Sequence, residues 1–372
     1  MKTSTSFFLA AGASLCVLGG SLLADPRMPE KSRAPMNASD SDPMAKADKD
    51  MKMVLDALAG LGGKPLATLT PEEARRQPTP ADAVKAVMTK KLGKAPAPEA
   101  VAKVENRTYT SADGSQLPVR IYTPKGKGPF PVVVYFHGGG WVIADLDVYD
   151  SSPRALANAA GAIIVSVEYR KAPEHKFPAA HDDAFAAYKW VHDNAASFGG
   201  DPERLAVAGE SAGGNLAFNT AVRARDEKVT MPMHMLLVYP VAGADMTTPS
   251  YVANTNAKPL GKAGMEWFVS NVFAKPSETK DPRLDLVHRT DLRGLPSATV
   301  ITAEIDPLRS EGQQLAKNLT AAGIDVDATD YRGVTHEFFG MGPAVAKAKQ
   351  AEQRAGKNLK AAFKKTAKVS AR

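Results

Sequence analysis

Ser211 lies between Gly209 and Gly213 in the stretch Leu205-Ala-Val-Ala-Gly-Glu-Ser-Ala-Gly-Gly-Asn-Leu216. A serine hydroxyl attacks a carbonyl only if it stands clear of the backbone. An apolar strand that turns abruptly into a helix lifts it there, and the tight turn leaves no room for side chains at the flanking positions. The helix that begins after Ser211 aims free N–H groups, Ala212 first, and its positive dipole end at any oxyanion formed beside the serine. The chemistry implied is nucleophilic attack with a covalent intermediate.

Such a serine needs a base, an acid to orient the base, and further oxyanion donors. In an open α/β sheet these groups belong where strands end. The apolar run Pro131–Phe136 ends in His137-Gly138-Gly139-Gly140-Trp141. Its glycines let the backbone approach a ligand and offer N–H groups to it. A dinucleotide-binding G-x-G-x-x-G is excluded because its last position is Ile143. The run Ala298–Ala303 leads into Glu304-Ile-Asp306-Pro-Leu308, and His336 follows the last strand. The order serine, acid, histidine fits the elbow. His336 is favoured as base over His234, which reads as part of a strand, and His288, which falls in a loop-rich insert. Asp306 is favoured as the acid, with Glu304 as the alternative. His137 reads as a support for the glycine loop. His336-Glu337 would open a zinc-protease motif only with a histidine at the position of Gly340, so neither a metal nor a cofactor is expected.

The elements that must position these residues follow from periodicity. Val104–Thr110 and Gln116–Thr123 alternate around Asp113-Gly114 and predict a hairpin. Pro131–Phe136, Ala162–Val167, Leu205–Ala208, Met233–Tyr239 and Ala298–Ala303 are continuous apolar runs, as in a mostly parallel central sheet covered on both faces, and Asp325–Tyr331 closes it. Flanking helices are predicted at Ser152–Ala160, Ala179–Asn194, Gly214–Asp226 and Leu308–Ala322, with a last one from about Pro343. Helices around Met51–Leu61 and Pro80–Leu92, within 49–100, and an insert at about 243–293 holding a helix at Gly264–Val272 are expected to form a helical cap on a core spanning 101–372. Leu55, Leu58, Val87, Trp267 and Phe268 are candidates to shape this cover, and a chain lacking residues 25–92 is expected to stay folded with altered acyl-length selectivity.

The composition, 44% hydrophobic and 23% charged over 372 residues, is that of a globular chain. Residues 1–24 read as a signal peptide: Lys2, an apolar run from about Phe7 to Leu23, then Ala24. Export, to the periplasm or beyond, is the expectation. Cys16, the single cysteine, lies inside that segment, so neither a disulfide nor a stable membrane anchor is expected of the mature chain. Residues 25–48 read as a flexible linker. The net charge of +7 owes much to Lys357, Lys360, Lys364, Lys365, Lys368 and Arg372, which read as a solvated helix face and not as a nucleic-acid site. The oligomeric state is not legible.

Together, His137-Gly-Gly-Gly140, Tyr169-Arg-Lys-Ala-Pro-Glu-His175 with Phe177-Pro-Ala-Ala180, Gly209-Glu-Ser-Ala-Gly213 and Asp306-Pro-Leu-Arg-Ser-Glu-Gly312 resemble bacterial carboxylesterases of the hormone-sensitive-lipase-like family. The resemblance covers roughly Val101 to Met341. It implies an α/β-hydrolase fold with a helical cap and hydrolysis of short acyl esters, with a small-molecule ester as the partner. It further implies a triad of Ser211, Asp306 and His336, and an oxyanion hole from the amides of Gly139, Gly140 and Ala212. Trp141, next after the glycines, is the candidate substrate contact. Two positions depart from the family pattern: Glu210 where aspartate is frequent, and Glu337 after the histidine where glycine is common. An acid at 337 is expected to favour the charged imidazole. Amide or lactone hydrolysis by the same machinery stays open, as does a non-catalytic binding protein on this fold.

Overall fold

The computed structural model describes residues 42–366. The expected signal peptide and residues 25–41 of the expected linker lie outside the described residues. Residues 43–48 depart from the linker reading: Pro43–Lys46 forms a 3₁₀ turn with Pro43 buried, and the Asp48 amide donates to the Gly333 carbonyl at 2.8 Å.

The alternating stretches form the antiparallel hairpin β1 (Lys103–Thr110) and β2 (Gln116–Thr123), turned at Gly114 with φ +92°. The apolar runs form β3 (Phe130–Phe136), β4 (Ile163–Val167), β5 (Gly200–Glu210), β6 (His234–Val238), β7 (Ser297–Ile305) and β8 (Val326–Thr335). The eight strands make one sheet in the order β1-β2-β4-β3-β5-β6-β7-β8, parallel from β4 through β8. Because successive side chains on a strand face opposite ways, each central strand feeds two cores. Val132, Val134 and Phe136 of β3 enter one core with α5 (Ala179–Asn194), α6 (Ala212–Asp226) and α9 (Arg309–Ala321). Val133 and Tyr135 enter the other with α4 (Ser151–Ala160) and α10 (Ala346–Thr366). Burial on both faces is why these runs are mainly apolar, with Ser166, His234, Thr299 and Thr302 as buried polar exceptions.

Ahead of the sheet lie α1 (Lys49–Gly60), α2 (Pro71–Arg75) and α3 (Pro80–Leu92). Thr70 and Thr79 each close a capping box with the acid three residues on, which fixes where α2 and α3 begin. The insert holds α7 (Pro249–Ala253) and α8 (Lys262–Val272), and the indole N–H of Trp267 on α8 donates to the Leu69 carbonyl at 2.9 Å, joining insert and N-terminal segment. Met51 and Val54 of α1 and Ala83, Val84 and Val87 of α3 are buried in the same core as Tyr239, Phe338 and Phe339. These helices are therefore part of the core and not a detachable lid. That burial argues against the expectation that a chain lacking residues 25–92 stays folded. No helix of the described residues is long and apolar enough to cross a membrane.

Candidate active site

The sequence places Ser211 where β5 gives way to α6, and its backbone is strained there, with φ +56° and ψ −118°. That conformation is costly for any residue with a Cβ. Neighbouring chains hold it in place. A Cβ on Gly209 would overlap the carbonyl of Gly213, and one on Gly213 would overlap the carbonyl oxygens of Phe136 and His137. The two glycines of the motif are thus required by backbone approaching backbone.

Ser211 Oγ is 2.9 Å from His336 Nε2, and His336 Nδ1 is 2.8 Å from Asp306 Oδ2. The carboxylate can only accept, so Nδ1 carries the proton and Nε2 is left to accept from the serine. Asp306 is itself fixed by the amide of Leu308, which donates to Oδ1 at 2.8 Å. Glu304, the alternative acid, turns away and accepts the Gly333 amide at 2.9 Å. His234 bonds Ser297 and Thr299 inside the sheet, and His288 is exposed beside Asp285. Ser211, His336 and Asp306 are 5%, 2% and 0% exposed, so the cluster is shielded from bulk water. Burial opposes charging of His336, but the charge and hydrogen bond of Asp306, with help from Glu337 and Glu210, outweigh it and raise the histidine above its ordinary range.

The glycine loop after β3 faces the elbow. Gly139 and Gly140 have φ +96° and +58°. Among the described residues, the amides of Gly139, Gly140 and Ala212 donate to no protein acceptor. They remain available to an oxyanion. His137, buried, donates from Nδ1 to the Gly138 carbonyl at 2.7 Å, and Tyr169 stacks on it and donates to the His137 carbonyl at 2.9 Å. Phe268 of α8 lies against Gly140, where a Cβ would meet its ring, and so covers the loop.

A family model described as the alpha/beta hydrolase fold matches residues 133–340. The chain belongs to the α/β-hydrolase fold family. Among relatives, a carboxylesterase, NlhH, of Mycobacterium tuberculosis is 41% identical over 266 residues, covering 70% of this chain and 83% of that one. An ethyl acetate hydrolase of Pseudomonas putida is 34% identical over 288 residues, covering 76% and 88%. The solved structure of a hyperthermophilic esterase from the archaeon Pyrobaculum calidifontis superposes with a TM-score of 0.75 at 36% identity, covering 84% of this chain and 96% of that one. The resemblance to hormone-sensitive-lipase-like carboxylesterases read from the motifs is borne out.

Around the site, this α/β hydrolase holds one residue, Arg75, that no motif marked. Arg75 of α2 donates to the carbonyls of Val142 and Ala172, each at 2.8 Å, and pairs with Glu174 through both nitrogens of its fork. It thereby ties the segment after the oxyanion glycines to that around Ala172. The capping box at Thr70 was the sequence signal for this helix. Glu210 is buried and accepts from Tyr135 and Tyr239, while the Tyr239 ring packs 4.5 Å from His336. Burial first, then the nearby charge of Glu337, pushes the Glu210 carboxyl up to about 7. Trp141 is 5% exposed and lines, with Phe177, His181, Val272 and Phe273, a void of about 10 Å³. No group of acids, histidines or cysteines that could hold a metal occurs among the described residues.

Proposed function

We propose that this protein is a serine carboxylesterase acting on short-chain acyl esters. The observation that carries the reading is the unbroken chain of hydrogen bonds from Ser211 Oγ through His336 to Asp306, at 2.9 and 2.8 Å. His336 accepts the serine proton as Oγ bonds to the ester carbonyl carbon. The carbonyl oxygen, now negative, is held by the amides of Gly139, Gly140 and Ala212. When the tetrahedral intermediate collapses, the C–O bond to the alcohol breaks and His336 returns the proton to the departing oxygen. Water then repeats the steps on the acyl-enzyme, and Asp306 keeps the imidazole in the required tautomer throughout.

The cover of Phe268 over Gly140 supports a preference for small acyl groups, as does a relative named for ethyl acetate hydrolysis. The expected result is turnover of p-nitrophenyl acetate and butyrate, with kcat/KM falling as the acyl chain lengthens toward decanoate. A folded protein that turns over none of these esters, or favours the longest, would refute the proposal. We further propose that the protein is exported, on the strength of the apolar run from Phe7 to Leu23. N-terminal sequencing of protein recovered from cells should find a chain beginning near Asp25; an intact Met1 in the exported fraction would count against cleavage.

A further inference from the structure

Glu337 follows His336 in the chain, and it meets the imidazole at the nitrogen that Asp306 does not touch. Its Oε1 is 3.7 Å from His336 Nε2, the atom that bonds Ser211. Its Oε2 accepts the Tyr149 hydroxyl at 2.6 Å. Tyr149 is 6% exposed, and its hydroxyl occupies the place a Cβ on Gly138 would take. The tyrosine therefore reaches from beneath the oxyanion loop to the loop that carries the histidine. The backbone at Glu337 has φ +69°, a region that disfavours any side chain and suits glycine. An acid stands there all the same, held by the hydrogen bond from Tyr149.

Resting on the esterase reading above, we propose that Glu337 and Tyr149 form a positioning pair for the general base. Tyr149 tethers a second carboxylate at the Nε2 edge of His336, where it favours the imidazolium that forms each time the serine proton is taken. Asp306 serves the opposite edge, through Nδ1. The other titratable groups facing this region are Glu210 at the end of β5, Tyr135 from β3, Tyr239 after β6, Tyr169 after β4, and His137, whose ring lies 5.8 Å from that of Tyr149. Among the described residues, no lysine or arginine forms an ion pair with Glu337 or Glu210. The charge of Glu337 thus acts on His336 without a competing cation. It also acts on Glu210, adding to the burial that already pushes that carboxyl up. Neutralising Glu337 lets Glu210 ionise at lower pH and return part of the lost negative charge. The net effect keeps its sign, because Glu337 influences His336 more than Glu210 does.

The test is the pH dependence of kcat/KM for p-nitrophenyl acetate in the wild type, Glu337→Gln, Glu337→Gly and Tyr149→Phe, each shown to be folded by its thermal melt. Removing the charge lowers the histidine pKa, so the acid limb of the Gln variant should lie at lower pH by about one pH unit. The plateau should fall by less than about tenfold, since a weaker base remains in place. Glu337→Gly, which relieves the positive φ, should move the limb in the same direction, and this separates charge from backbone strain. Tyr149→Phe should move it less far in that direction. A limb that stays at the wild-type position in Glu337→Gln, or rises, overturns the proposal; an unmoved limb in Tyr149→Phe overturns the tether. A wild type without ester turnover, or without an acid limb, would instead reject the esterase reading itself.

Discussion

Ser211→Ala is expected to lower kcat/KM for p-nitrophenyl acetate by about 10⁵–10⁶-fold, the scale on which loss of the nucleophile acts in serine hydrolases. The hydroxyl is the atom that bonds to the carbonyl, and no other side chain stands at the elbow. What remains should be the catalysis of order 10³–10⁴ over water that an oxyanion hole and binding supply without a triad. Stability should change far less. The strained φ of +56° at position 211 is imposed by the approach of Gly209, Gly213 and the end of β3, and alanine meets the same constraint with the same Cβ. The substitution leaves His336 Nε2 without its donor, which costs about 1–3 kcal/mol if no water replaces the hydroxyl. A folded Ser211→Ala protein with wild-type activity would remove Ser211 from the proposed mechanism.

The site was legible in the sequence to the extent that its parts sit at the ends of apolar runs. β3, β4 and β6 are buried on both faces and so are mainly apolar, with Ser166 and His234 as the polar exceptions; the change to His137-Gly-Gly-Gly140 marks the end of β3, and Gly-Glu-Ser211 the end of β5. The start of β5 was less visible. It begins at Gly200, five positions before the apolar run, because Asp201 and Arg204 are only partly buried, Glu203 is exposed, and the strand touches β3 there through Gly200 and Phe130 alone, across a bulge. α2 and α7, of five residues each, are too short to show a period. Contacts across the fold left no local trace at all. Arg75 lies 67 residues from Val142 and 99 from Glu174, and Tyr149 lies 188 from Glu337. Spacing along a chain cannot reveal such pairs. Glu210 and Glu337 stood out as departures from a family pattern, but that both acids belong to one buried tyrosine-lined group appears only when β3, β5, β6 and the loop after β8 are brought together.

Deleting residues 25–92 is expected to abolish cooperative folding, not merely to widen the pocket. The side chains of Met51, Val54, Val84 and Val87 are at most 8% exposed. Burying each is worth about 1.5–3 kcal/mol. Against a typical domain stability of about 5–15 kcal/mol, losing four of them is a large fraction of the whole, and their departure also uncovers the apolar surface on which they rest. That surface includes Phe338, Phe339 and Tyr239, the last of which packs on the histidine and on Phe338. The deletion also removes polar ties to the same region. The Asp48 amide bonds the Gly333 carbonyl at 2.8 Å, Asp48 pairs with Lys347 at 2.6 Å, and Asp50 accepts the Ala346 amide at 2.7 Å at the start of α10. Without them, β8 and α10 lose the contacts that fix the segment between, which carries His336. The measurement is a thermal melt by circular dichroism together with labelling of Ser211 by a fluorophosphonate, on full-length and truncated protein. The truncated chain should show no sharp transition and little labelling. A truncated protein that melts cooperatively within a few degrees of the full-length one and labels at the same rate would show that α1 and α3 are a cover after all, and their apolar faces would then have to be explained by contact with substrate.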